Sequence, residues 1–273
     1  MNINITKAER TADQMSPDKA QQAVSAILTD GFVVLDNAVS HGSLDRLREK
    51  MIEDSQRLIE AEKWGGAGRL PGHLQQGPPP MAPFVFRDIV SNPFVIQVTK
   101  GVLGEGLFNS FYNGNCNCPG SGTQPLHADH PHLWPNMEKA HPPASLVVNI
   151  CLTKVTEENG AVELWPGSHH NTKPVSDENV AAQREITPPI PGETEKGSVL
   201  IRDMRVWHRG VPNHSNEIRH MIAMVHNISW RVRNQTLRYG LGCEEAFDST
   251  ELDHNAVFMD EPIDYLFGEF IRP

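Results

Sequence analysis

Cysteine is scarce in this chain, four in 273 residues. That number cannot build a disulfide framework, so a packed core must hold the fold and a reducing compartment is expected. No apolar run approaches the roughly 20 residues that span a bilayer. The opening MNINITKAERTADQ lacks the apolar centre of a secretory signal. Basic residues are in deficit, 24 Lys and Arg against 34 Asp and Glu, giving a formal net charge of −10. Nucleic acids and anionic membranes attract basic patches, so neither is an expected partner. Internal repeats and low-complexity tracts are missing too. What is present is 38% hydrophobic and 21% charged residues, the make-up of a globular protein long enough for a substantial core. The cytoplasm is the expected location.

Residues 1–15 read as a loose arm. Ser16-Pro17 then starts a helix, with serine as cap and proline at the first helical position. Ala20, Val24, Ile27 and Leu28 recur at helical spacing, and Gly31 ends the helix. Phe32–Leu35 is a short buried strand. Leu44, Leu47, Met51 and Leu58 stripe a second helix from about Leu44 to Glu62, after a Ser43 cap. From Trp64 to Pro83 glycine and proline dominate, and so long a loop in a compact domain is functional or disordered. A lid over a pocket mouth is expected, with a flexible surface excursion as the alternative.

A helical stretch near 92–103 gives way to strands at Leu107–Tyr112, Ser145–Thr153, Ala161–Trp165, Ser198–Ile201 and Met221–Ile228. Helices followed by antiparallel strands indicate an α+β fold, mostly β, built on a strand barrel or sandwich. One domain over 1–273 is expected. It comprises the arm, helical support and lid loop over 16–105, a strand core over 106–230, and a C-terminal extension over 231–273.

The chemistry concentrates at His127-Ala128-Asp129, with a second histidine, His208, 79 positions later. Alternate residues on a strand point the same way, so His127 and Asp129 share a face that Ala128 avoids. Two imidazoles and one carboxylate hold ferrous iron on one side and leave the other open. Arg219 follows His208 by eleven positions. Its planar fork suits a dicarboxylate cosubstrate such as 2-oxoglutarate. These residues together indicate an iron-dependent oxygenase that consumes 2-oxoglutarate and dioxygen.

Other residues invite competing readings. His130 and His132 flank Pro131, which usually ends a strand, and without a carboxylate that pair suits zinc better than iron; both are expected at the pocket rim or surface. Cys116 and Cys118 lack the second cysteine pair of a soft metal site. His169 and His170 read as exposed or structural, His220 and His226 as core histidines, Trp165 and Trp207 as packing aromatics. Arg205 and Arg209 also flank His208, but Arg219 sits at a strand start and is preferred as the anchor.

The chain resembles the phytanoyl-CoA dioxygenase family of iron and 2-oxoglutarate enzymes. The resemblance is carried by Asp30-Gly31-Phe32-Val33-Val34-Leu35, Leu126-His127-Ala128-Asp129, Glu158-Asn159-Gly160-Ala161 through Pro166-Gly167-Ser168-His169, and Trp207-His208-Arg209-Gly210 with Arg219. A His-X-Asp alone is weak, but five pieces in the right order over about 28–228 are specific. The resemblance implies a double-stranded β-helix (jelly roll, cupin-like) with N-terminal helices packed outside. It assigns iron ligation to His127, Asp129 and His208, the distal carboxylate of 2-oxoglutarate to Arg219, and a place beside the cosubstrate to Gln124. Relatives often carry threonine where this chain has Val162, so one hydroxyl contact must be supplied elsewhere. The fungal natural-product branch looks closer than the fatty-acyl-CoA branch, and such relatives often form homodimers.

The expected activity is oxidation of an unactivated C–H bond of a small, largely apolar molecule, by hydroxylation, desaturation or ring rearrangement, in secondary metabolism. Two other classes compete. A non-catalytic metal-binding jelly-roll sensor would not need intact ligands together with an intact arginine. A zinc-dependent hydrolase or isomerase would have no use for Arg219.

Overall fold

The computed structural model describes residues 1–268. Its strands are β1 (Asn2–Asn4), β2 (Phe32–Asp36), β3 (His73–Gln75), β4 (Phe108–Asn117), β5 (Ser145–Cys151), β6 (Glu163–Leu164), β7 (Ile190–Pro191), β8 (Val199–Asp203), β9 (His208–Arg209), β10 (Arg219–Asn227), β11 (Leu237–Gly240) and β12 (Ala256–Met259). Its helices are α1 (Lys7–Ala12), α2 (Pro17–Asp30), α3 (His41–Glu60), α4 (Arg87–Val90), α5 (Pro93–Leu103) and α6 (Asp177–Ile186).

Seven strands form one sheet in the order β1-β2-β8-β5-β10-β4-β3. Apolar residues on one face of it pack against the helices. Ile222 and Met224 of β10, Leu146, Val148 and Ile150 of β5, and Val199 and Ile201 of β8 join Ile27, Leu44, Met51 and Phe94 in the main core. The alternate residues of the same strands face the other way. There Phe32, Val34 and Leu200 pack with Leu164 of a small sheet ordered β7-β6-β9. The site lies between these two sheets. No closed barrel forms among the described residues, and β11 and β12 pair in parallel as a separate two-stranded sheet.

Local signals account for the helices. The Ser16 hydroxyl accepts from the Lys19 amide, and Gly31 closes α2 at a φ of 89° with its amide donating to Ile27. A side chain at Gly31 would also meet Val206 and His169. Only glycine fits both the turn and that approach.

The structure corrects several expectations. Residues 1–15 are not loose. β1 pairs in parallel with β2, Thr6 and Glu9 form a capping box on α1, and Ile3, Ile5 and Met15 are buried. The second long helix starts earlier, at His41, with Ser40 rather than Ser43 as its cap. The segment expected as a lid is sewn into the fold. Within it β3 pairs with β4, Leu74 is fully buried, and Pro78 to Pro80 are covered. β4 runs on past Tyr112, where the strand was expected to end, to Asn117. α6, capped by Ser176 with Asp177 and Glu178 in its first turn, was not expected at all. The last stretch of the expected C-terminal extension, 269–273, lies outside the described residues.

Two predictions follow from this packing. Ile5 keeps only 1% of its surface exposed, so Ile5→Ala should cost about 2–5 kcal/mol in denaturant unfolding; no change would restore the loose arm. The second concerns acid. Burial pushes His169 and His220 down to about 4, and His208 and His226 down to about 3, from the ordinary 6.5. Unfolded, each takes up a proton near pH 6.5, while the folded chain holds it neutral. Stability is therefore fullest above 6.5 and declines as pH falls toward 4. The melting temperature of the metal-free protein should drop across that window, and a flat profile would contradict the buried, neutral histidines.

Candidate metal centre

His127 and His208 face each other as a reciprocal backbone pair. The His127 amide donates to the His208 carbonyl at 3.1 Å and the His208 amide to that of His127 at 2.8 Å. This lateral pairing beside β9 sets the two rings 4.4 Å apart between centroids. Two residues on, the Asp129 amide donates to the Met204 carbonyl at 3.0 Å, which returns Asp129 to the face of His127. One ligand atom from each of His127, Asp129 and His208 lies within 4.8 Å of the others.

Backbone carbonyls fix both tautomers. His127 Nδ1 lies 2.9 Å from the Pro125 carbonyl and His208 Nδ1 2.9 Å from the Val206 carbonyl. A carbonyl only accepts, so each Nδ1 carries the proton and each Nε2 presents a lone pair. Asp129 Oδ1 stands 3.9 Å from His127 Nε2 and 3.5 Å from His208 Nε2. Burial holds His208 neutral, with the Arg202 charge adding to the effect. Burial alone would raise the Asp129 carboxyl, but Arg202 and the two imidazoles hold it well below the usual carboxylate range. His208 and Asp129 are thus ready to bind a divalent metal without first losing a proton. The trio's mixed nitrogen and oxygen donors, with a side left open, fit ferrous iron.

Arg219 lies at the start of β10, 5% exposed. Among the described residues no carboxylate pairs with it, and its Nε has no partner. It stands opposite Asn117, whose side-chain amide donates to Val211 just after β9. Next to Val211, Gly210 donates its amide to Gln124 Oε1 at 2.9 Å. A side chain on Gly210 would strike Gln124 and His73, and His73 is within the electrostatic reach of Arg219. Arg219, Gln124 and His73 therefore lie near one another, around the Gly210 turn that follows His208.

The other candidates fall elsewhere. Arg205 pairs bidentately with Asp203 and holds the His141 carbonyl. Arg209 pairs with Glu163 at 2.9 Å. His132 contacts the Asn171 carbonyl, while His130 lines a small cavity with Met204 and Val225. Cys116 and Cys118 are buried against Leu58 and Leu74. Val162 packs on the Leu164 cluster. His169, His220 and His226 are buried, as are Trp165 and Trp207.

One residue of the site escaped the sequence reading. Arg202, from β8 of the large sheet, donates through Nη2 to Asp129 Oδ2 at 2.6 Å. Its Nε reaches Asn149 Oδ1 of β5 at 3.3 Å. The available signal was an arginine closing the apolar run Val199-Leu200-Ile201.

The chain belongs to the phytanoyl-CoA dioxygenase (PhyH) family, whose profile matches residues 27–221. It is similar to dioxygenase af480 of Aspergillus fumigatus, 31% identical over 134 residues, covering 47% of this chain and 40% of that protein. Dioxygenase aneA of Aspergillus aculeatus is 26% identical over 210 residues, 72% of this chain and 68% of aneA. The matched stretches span less than half the length of af480 and of dioxygenase andF of Emericella variicolor. AviO1 from Streptomyces viridochromogenes has a similar fold, with a TM-score of 0.59 at 19% identity, covering 78% of this chain and 96% of AviO1. HygX from Streptomyces hygroscopicus, solved with nickel, 2-oxoglutarate and hygromycin B bound, gives 0.58 at 14% identity over 86% of this chain and 96% of HygX.

Removing an outer partner of a metal ligand costs about 10–100-fold in affinity, so removing a ligand should exceed that. His208→Ala should weaken cobalt(II) binding by more than about 100-fold, and His130→Ala and His132→Ala should leave it intact. Metal that survives the first change and is lost with either of the others would refute this ligand set.

Proposed function

We propose that this protein is an Fe(II)- and 2-oxoglutarate-dependent dioxygenase built on a double-stranded β-helix (jelly roll), acting on a C–H bond of a small, largely apolar molecule. The observation that carries the reading is a two-imidazole, one-carboxylate cluster, supported by a buried arginine, Arg219, that has no carboxylate partner among the described residues. A zinc hydrolase or a sensor would gain nothing from that arginine.

In this reading His127 and His208 hold the metal through Nε2, and Asp129 completes the face through Oδ1. Arg219 pairs the distal carboxylate of 2-oxoglutarate with two parallel charge-assisted hydrogen bonds. Gln124, with its oxygen committed to Gly210, keeps its amide hydrogens for the cosubstrate. Bound iron, 2-oxoglutarate and dioxygen supply the oxidising power, with succinate and carbon dioxide as coproducts. The protein positions the substrate carbon and keeps water from the centre. A cavity of about 800 Å3, lined by Phe111, Tyr112, Leu237, Tyr239, Val257 and Ile263, supports a bulky apolar substrate. Gln235 lines both it and the smaller cavity at His130 and Met204, beside Asp129.

A role in secondary metabolism is supported by the similarity to fungal dioxygenases such as af480 and aneA. All four cysteines are free thiols, which supports a cytoplasmic setting. Among the described residues no helix is long and apolar enough to cross a membrane. Exposed Trp230 and Val232 support extending the proposal to a homodimer.

The reading is tested by succinate release. The protein should convert 2-oxoglutarate to succinate with ferrous iron and not with zinc, and the free natural-product scaffold should stimulate it more than an acyl-CoA thioester. No succinate with iron would end the proposal. Breaking a buried ion pair costs about 3–5 kcal/mol. Arg219→Leu should therefore weaken 2-oxoglutarate binding by about 100-fold or more and leave metal binding unchanged. With a carboxylate at position 129 no site is left for halide, so chloride buffer should yield no chlorinated product.

A further inference from the structure

Arg202 is more than a partner of Asp129. Its guanidinium is 5% exposed and each nitrogen has a different fate. Nη2 is committed to Asp129 Oδ2 at 2.6 Å, and Nε to Asn149 Oδ1 at 3.3 Å. Nη1 is buried with no partner among the described residues. Leaving a buried charged donor unmatched is costly, on the order of 1–3 kcal/mol or more. Such an atom, on the same guanidinium that pairs with Asp129, marks a place where a ligand atom belongs.

Charge points to the class of ligand. At the centre the Arg202 guanidinium and the Asp129 carboxylate pair at 2.6 Å and neutralise one another. A divalent metal bound on this set therefore brings two charges that the pair does not offset. An anion bound at the metal relieves that excess. We propose that Arg202 is a second anion-binding arginine of the site, with Nη2 reserving Asp129 Oδ2 and Nη1 donating to the carboxylate of a chelating acid bound beside Asp129. The inference rests on the oxygenase reading, in which that carboxylate is the one 2-oxoglutarate presents to the metal, while Arg219 takes the distal one. Reserving Oδ2 also keeps Asp129 on the metal through Oδ1 alone, which leaves coordination positions for the chelator.

Oxalate separates the two arginines, because it chelates a metal but has no distal carboxylate. Calorimetric titration of oxalate and of 2-oxoglutarate into the nickel-loaded protein reads binding without turnover. Arg202→Met should weaken oxalate binding at least tenfold, and Arg202→Lys should recover part of it. Arg219→Leu should leave oxalate within threefold of the unmodified protein while losing 2-oxoglutarate. Oxalate affinity within threefold in nickel-loaded Arg202→Met would overturn the proposal. So would loss of nickel from both Arg202 variants, since the residue would then only build the metal ligand. If 2-oxoglutarate binds the unmodified protein no better with nickel than without, the oxygenase reading itself fails.

Discussion

The antiparallel pairing of His127 with His208 is the constraint on which the site depends, because it joins segments 79 positions apart into one ladder. Once the two backbones exchange their hydrogen bonds, both imidazoles lie on the same side. Two residues on, the bond from the Asp129 amide to the Met204 carbonyl brings its carboxylate within 3.5 Å of His208 Nε2. Pro125 and Val206 carbonyls complete the arrangement by fixing the Nδ1 protons. His208 lies in β9, while His127 holds an isolated bridge to it and Asp129 sits at a bend tied to Met204. The ligand atoms are positioned by backbone geometry, the most rigid support a chain can offer.

The two sheets play different parts. The small sheet supplies His208 through β9, and the segment beside it supplies His127 and Asp129. The large sheet supplies Arg202 and Arg219 from β8 and β10. Their meeting at the Arg202–Asp129 pair ties the sheets together by charge where Leu164 and Leu200 tie them by packing. The pair, buried at Arg202 and exposed at Asp129, is not a large source of net stability. Its value is in setting the charge and orientation of the one carboxylate ligand. The helices on the far face of the large sheet keep the site's strands in register but contribute no ligand.

Much of this was legible in the sequence, for reasons that can be stated. His127 and Asp129 stand out because strand alternation makes an X between two ligands meaningful, and Arg219 stands out because it opens an apolar run. The caps at Ser16 and Gly31 announced α2 correctly. Arg202 was hidden because three arginines lie within eight residues, at 202, 205 and 209. Which of them faces the metal depends on strand register, which no local pattern fixes. The expected strand stopped at Tyr112, five residues short of the end of β4 at Asn117, because Asn113-Gly114-Asn115 interrupts the apolar pattern. Thr6-Lys7-Ala8-Glu9 carried a readable capping box, yet an arm without a long apolar stripe suggested disorder. Its docking depends on a parallel pairing with β2 that sequence proximity does not reveal.

The central claim is that one metal is held by His127, Asp129 and His208 while Arg219 fixes the far end of the cosubstrate. A crystal structure of the protein loaded with ferrous iron and 2-oxoglutarate in the absence of oxygen tests it most directly. The account predicts iron at about 2 Å from His127 Nε2, His208 Nε2 and Asp129 Oδ1, with the distal carboxylate paired to Arg219. Iron bound instead at His130 and His132, or a cosubstrate whose distal carboxylate lies away from Arg219, would contradict it.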